Sequence, residues 1–594
     1  MPTGWKRMMR EWVWGGIMAM GLLVSGCSSG GGDGGAAPTA ASTSGQALVS
    51  LTDAAGNFLT YTVDVQSLTL TKQNGTVVET LPLTTRVNFA DYVEMTEFFT
   101  AATIPSGIYT SARMRLDFST AEIHVEDASG NAVAVPAGNI RDANGNPLTT
   151  LDMDVQFDHR RALVVAPGIP AHLTLDFNLQ ASNTADLTGP APVVTVKPFL
   201  IADVDPEQPK TMRIRGPLKS VNQANQTYQV FLRPVHRKLG DFGSVVVHTD
   251  TETVFEIDEA PYQGAAGLAA LEAKPTATAT VAIGRSQIGT RQFKADEVLA
   301  GTSVAGGDRD VVVGDVIARS GDTLTVRGAS LLRKDGTFTF RDTLTVTMAA
   351  GTKVRRQAVI TAGLTKDDVS VGQRIAAFGS LDAGTNSLDA TAGLVRTLVT
   401  SVAGTVNLTG AGSLEMNVQR IDGRRIALFN FAGTGAAAGT DADPTYYEVA
   451  TGSLSLAGLS GGTPVRVLGF ATKFGTAAPD FTAQTVINLM DRQATMLVNW
   501  AVPTGVPFLS TDPGLVLNLA GAGTLHHVVR GPVSTDLLSF GVSPTVTPEH
   551  ADQGLFALGV AGKVTVYTQY QNYRTAIEQQ LSQGGHASVV GAHG

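Results

Sequence analysis

One cysteine, Cys27, stands in a chain of 594 residues, so neither an intramolecular disulfide nor a cysteine-paired redox or zinc motif is available. Charged residues make up 16%, where about 25% is usual, and aromatic residues 6%. Asp and Glu outnumber Lys and Arg by 52 to 43. That balance lacks the dense positive face a phosphate backbone requires, so nucleic acid is not a predicted partner. Beyond the N-terminus no stretch approaches 18 consecutive apolar residues, which leaves no candidate spanning helix. The strings GxxxxGK[ST] and HExxH are missing, so a phosphate loop and a zincin centre have no motif support, and no cofactor is predicted. What is plentiful is glycine, at 65 residues, within a composition that is 43% apolar. Such a chain is long enough for about four domains joined by many tight turns.

The first residues read as an address. Lys6, Arg7 and Arg10 precede an apolar run from Trp12 to Val24, which ends in Ser25-Gly26-Cys27. The run is too short to span a bilayer, which needs about 20 residues, and matches a secretory signal peptide over 1–26. Val24, Ser25 and Gly26 form the predicted signal-peptidase recognition site, and Cys27 the predicted lipidation site. Acyl chains there would moor the protein to a membrane at about 0.8 kcal/mol per buried methylene. They would also consume a thiol that is a liability in an oxidising compartment. Ser28, where no aspartate follows the cysteine, resembles the pattern that sends bacterial lipoproteins to the outer membrane. The expected location is therefore the outer membrane, facing periplasm or exterior, with the lipid anchor as the sole membrane contact. Residues 27–45 read as a flexible Gly/Ser/Ala tether.

From Gln46 to about 205 the residues alternate at period two, as half-buried strands do. In YTVDVQSLTLTK the apolar positions Val63, Val65, Leu68 and Leu70 change phase near Gln66-Ser67, which predicts a bulge. A short helical piece fits near Tyr92 to Thr100. Asp53, Asp127 and Asp142 each open an Asp-Ala-x-Gly-Asn turn, in which the carboxylate bonds nearby amides and the glycine supplies positive φ. Calcium would need a downstream bidentate carboxylate, and none stands at EF-hand spacing. Asp152, Asp154 and Asp158 read as the wet face of a strand whose other face is Met153, Val155 and Phe157.

The lipobox, the tether and the segments ALVSLTDAAGNF, SLTLTK, IPSGIYTSARMRLDF, HLTLDFNLQAS and VTVKPFLIADV together resemble a bacterial lipoprotein family. That family carries an N-terminal transthyretin-like β-sandwich domain of unknown function. The resemblance covers 46–205 and implies a fold and an address but no reaction.

Past the acid and proline-rich linker DVDPEQPK the sequence repeats itself. Gly216, Gly314 and Gly404 recur at spacings of 98 and 90 residues, and each unit closes on a glycine-ended strand (ATVAIG, VGQRIAAFG, GTPVRVLG). Units of this size are domains in themselves. Three are expected, at 211–305, 308–398 and 399–495, and they resemble small OB-like β-barrels of unknown function. Phe338, Phe340, Phe429 and Phe431 read as core. The remainder, 496–594, reads as β-rich with one short helix marked by Tyr573, Ile577 and Leu581, packed against a barrel, and a frayed tail after Gly584. The predicted fold class is all-β: a sandwich followed by a string of about three barrels.

Chemistry is sparse. Ser460 satisfies GxSxG but lies in a turn before a strand, whereas a nucleophile elbow needs a strand before it and a helix after. His526 and His527, being neighbours in a strand, are expected on opposite faces and unable to share a metal. With His550, His586 and His593 they would make only a scattered site. No catalytic and no metal-binding residue is assigned. The expected function is that of a lipid-anchored envelope protein with a structural or binding role towards an envelope protein or glycan. A hydrolase of envelope polysaccharide or peptide and a calcium-dependent adhesin are the alternatives.

Overall fold

The computed structural model describes residues 43–593 apart from 54–57, 93–94, 128, 205–210, 288–291, 362, 438, 492–493 and 531–532. Val24, Ser25, Gly26 and Cys27 therefore lie outside the described residues, as does the tether to residue 42. The protein is all-β, with 56% of residues in strands.

The first unit is a sandwich. In one sheet Ser44–Thr52 runs parallel to Ala171–Asp176 and antiparallel to Met95–Pro105. The other sheet centres on Phe58–Lys72, Gly107–Glu126 and Thr150–Gln156. Val63, Val65, Leu68 and Leu70 are all fully buried despite their phase change, because the pairing with Gly107–Glu126 slips between Val65 and Ser67. Such a bulge returns the second half of the strand to the core face. The tether gives way to strand at Ser44, two residues before Gln46. The helical expectation near Tyr92 to Thr100 fails: a 3₁₀ turn, Phe89–Tyr92, leads into the strand Met95–Pro105. That strand is buried on both faces from Thr96 to Ala101, and burial on both sides erases the alternation by which a strand is recognised.

Three five-stranded barrels follow. In the first, Thr211–Asn222, Thr227–Phe231, Ser244–His248, Gln292–Ala300 and Ala279–Gln287 pair in a closed ring. In chain order that ring is 1-2-3-5-4-1, with strands 3 and 5 parallel. The second barrel has the same ring over Asp310–Ser320, Thr323–Leu332, Phe338–Thr347, Ser387–Thr397 and Arg374–Asp382. The third has it over Thr400–Gly410, Ser413–Ile421, Tyr447–Ala450, Phe481–Asn488 and Pro464–Ala471. This is the closed Greek-key order of an OB barrel. The first barrel also carries the helix Gly264–Glu272.

The repeated glycines mark where the barrels bend. A Cβ on Gly404 would stand 2.0 Å from the Asn417 carbonyl oxygen, and one on Gly216 closer still to that of Phe231. In the fourth strands the same holds at Gly284, Gly379 and Gly469, each at 2.1 Å or less from a carbonyl oxygen of the fifth strand. The pairing of strands 4 and 5 slips at or beside all three. Only a residue without a side chain lets the two backbones come this close.

The modules are packed together rather than strung out. Met95–Pro105 continues the sandwich sheet directly into the first barrel by pairing parallel with Thr211–Asn222. Arg396 of the second barrel forks onto Glu256 of the first, Nε to Oε2 at 3.1 Å, with both side chains buried. Arg424 of the third reaches Asp315 of the second at 2.6 Å. The second barrel returns to the sandwich through Arg327, which donates to the Gly130 carbonyl at 3.0 Å, and through Phe340, whose ring meets His124 at 4.8 Å. Phe340 is thus buried at a module boundary, Phe429 and Phe431 in the third barrel's core, while Phe338 is half-buried and stacks on His236.

The C-terminal part departs furthest from expectation. The helix Tyr570–Ser582 packs on the hairpin Phe556–Val560/Lys563–Tyr567 and on Leu515, not on a barrel. That hairpin joins the sandwich, Lys563–Tyr567 pairing parallel with Thr150–Gln156. Asp158 is accordingly no wet-face residue. It lies beyond the strand, buried, and its Oδ2 accepts from both the amide and the hydroxyl of Thr568. Nor is the tail frayed: Ala587–His593 pairs with Thr495–Thr504, because its alternating ASVVGAH offers a second strand to that sheet.

Candidate functional site

OB barrels hold chain-like ligands on the face of strands 2 and 3 and on the loops that join strands 1–2 and 4–5. In the first barrel the inward side chains Leu218, Tyr228, Val230, Val245 and Val247 are buried, so their neighbours must face out. Register then sets the outward side chains in rows. Asn222 lies opposite Thr227, which lies opposite His248; Ser220, Gln229 and Val246 form the next row; Phe231 and Ser244 the third. A groove of about 400 Å³ runs over the first two rows and the turn residue Asn225. A smaller recess of about 40 Å³ adjoins it, lined by Gln223, Gln226, Thr249, Asp250 and Leu268.

Asn222, Asn225 and Gln229 bring amides to this groove, and Ser220 and Thr227 bring hydroxyls. Desolvation lowers the His248 pKa below the ordinary value, so the ring is neutral at physiological pH and offers one donor and one acceptor. Phe231 keeps 39% of its surface exposed, and Lys219 sits over its ring, Nζ to centroid 5.2 Å. The arrangement suits a neutral ligand rich in hydroxyls, with an aromatic edge for its apolar flank.

In sequence this face shows neither a run of aromatics nor a cluster of basic residues, the usual marks of such a ligand surface. The available signal was the hairpin SVNQANQTYQ, with five amide side chains between Ser220 and Gln229, more than a turn requires.

Asp127 Oδ1 accepts from the amides of Ser129 and Asn131, and Asp142 Oδ1 from those of Asn144 and Asn146, with Gly130 and Gly145 at φ 84°. These are plain Asp-led turns. Asp53 differs: it is buried, and its Oδ1 accepts from the Leu179 amide, 126 residues on. Asp152 and Asp154 pair on the surface with Arg115 and Arg113. Ser460 is exposed in the turn before Pro464–Ala471 and meets the Thr463 hydroxyl at 3.4 Å. The opposite-face expectation for His526 and His527 fails. Their rings stack, centroids 4.6 Å apart, and they converge with Asp536. His550 is exposed beside Glu549 and does not belong to that group, nor does His586. Comparison with known proteins finds no matching family model and no matching curated protein.

Proposed function

We propose that this is a lipid-anchored cell-envelope protein, held at the outer membrane through acylated Cys27, that binds a neutral envelope glycan on the first barrel. The observation carrying the binding role is the register of Asn222, Thr227 and His248 beside Ser220, Gln229 and Val246 over one groove. Hydroxyl-rich chains are held by several such uncharged hydrogen bonds plus an apolar contact, which Val246 offers within the groove and Phe231 in the row beside it. The anchoring half rests on the N-terminal sequence, with its basic start, short apolar run and single cysteine.

Two measurements test the halves separately. Envelope glycan fragments titrated against the protein should bind, and Gln229→Ala combined with Asn222→Ala should weaken binding about 10-fold or more, at about 1 kcal/mol per lost hydrogen bond. Equal affinity in the double variant would refute the groove. Metabolic labelling with a palmitate analogue should mark the wild-type protein and leave Cys27→Ala unmarked and released from the membrane fraction.

A further inference from the structure

The strands Ala522–Arg530 and Val533–Asp536 pair antiparallel, setting His527 opposite Asp536. His526 leaves the alternation of its strand: its Nδ1 lies 2.7 Å from the Gly523 carbonyl oxygen, which folds the ring back over the chain and onto His527. A carbonyl only accepts, so Nδ1 carries the hydrogen and the neutral ring keeps its lone pair at Nε2. That nitrogen points at Asp536 Oδ1 from 3.4 Å. A lone pair facing a carboxylate oxygen is repulsive unless something positive lies between them. Asp536 is itself held, because Oδ1 also accepts from the Leu538 amide at 2.8 Å.

A proton would satisfy one base, yet three donors converge. The ligand atoms of His526, His527 and Asp536 all lie within 4.8 Å of one another, on half-buried residues. We propose that these three side chains bind a divalent first-row transition-metal ion of the zinc class. Two imidazoles and a carboxylate are the donor set such ions favour over calcium or magnesium. Ligands about 2.0 Å from a tetrahedral zinc stand about 3.3 Å apart, so the His526–Asp536 spacing already fits. Among the described residues His527 Nδ1 receives a long contact from the His526 amide, 3.3 Å, and its ring stacks beside that of His526, which keeps a ring nitrogen within reach of the other two donors. The Gly523 carbonyl and the Leu538 amide orient the ligands as outer-shell partners do. Three protein ligands leave a position for water or for a donor from a bound partner.

The test uses the full chain stripped with chelator and titrated with Zn²⁺ by calorimetry. One equivalent should bind, and His527→Gln, which leaves the His526–Asp536 contact in place, should weaken it about 100-fold. Zinc should raise the melting temperature of the wild type but not of that variant. Unchanged affinity in His527→Gln, or no saturable equivalent in the wild type, would overturn the site and leave a His526–Asp536 ion pair. Should the variant melt early even in chelator, Co²⁺ in the wild type decides. Strong visible absorption of four-coordinate cobalt supports the site, and the weak spectrum of a six-coordinate aqua ion refutes it.

Discussion

At the scale of single residues, the buried carboxyl pair between the second and third barrels is the most consequential. Neither Asp315 Oδ1 nor Asp422 Oδ2 has a hydrogen-bond donor among the described residues. Burial first, and then the neighbouring Asp315 charge, push the Asp422 carboxyl up to about 8 against the opposing pull of Arg374. Asp422 thus holds a proton that the unfolded chain releases near pH 4. Between those two values the folded state binds more protons, so this group's contribution to stability falls as pH rises from about 4 to about 8. Asp422→Asn keeps a donor for Asp315 without the titration. Its melting temperature, compared with wild type at pH 5 and at pH 8, should gain at the higher pH. Glu97 has the opposite sign. Burial alone would raise it, but Arg213, Arg215 and the Val235 amide take it down to about 2, so its stabilisation is lost only as pH falls from about 4.5 to about 2. Neither role was legible in sequence, because Glu97 meets an arginine 116 residues away and Asp422 an aspartate in another module.

Elements were more readable than residues, where one face was wet. Bulge and alternation in Phe58–Lys72 follow directly from its residue order, as do the turns at Asp127 and Asp142. Met95–Pro105, buried on both faces, lacks the alternation that marks a strand, and the terminal position of Ala587–His593 reads as fraying. The repeat glycines were visible as a spacing, but their cause lies in the carbonyl oxygen each one meets. Gly404→Ala places a methyl carbon 2.0 Å from the Asn417 oxygen and should destabilise the third barrel by roughly 1–3 kcal/mol, the cost of overpacking. Hydrogen exchange should show faster opening of Thr400–Gly410 and Ser413–Ile421, with the sandwich unaffected. An alanine variant as protected as wild type would contradict the bend assigned to that glycine. The candidate groove was legible only as an amide-rich hairpin, since the face it belongs to is created by register.

For the whole molecule, the modules are locked by charges taken out of water. Glu97 with Arg213 and Arg215, Glu256 with Arg396, and Asp315 with Arg424 each join two modules. A buried pair adds little net stability, but breaking one leaves an unpaired ion at about 3–5 kcal/mol. Arg396→Ala should therefore split one cooperative melting transition into two in calorimetry, as the first and second barrels uncouple. Arg396→Met, paired with Glu256→Leu, should restore a single transition. None of these partners is predictable from spacing, because each pairing depends on how finished domains meet.

The union of the hairpin at 556–567 with the sandwich bears on how the protein is made. Asp158 waits for Thr568 across 410 residues, which at about 5–20 residues per second is roughly 20–80 s of translation. Throughout that interval the strand Thr150–Gln156 offers bare amides and carbonyls to any passing chain. Until the last hairpin arrives, a sandwich that has already folded therefore carries an open edge at that rim, the kind of edge on which foreign strands add.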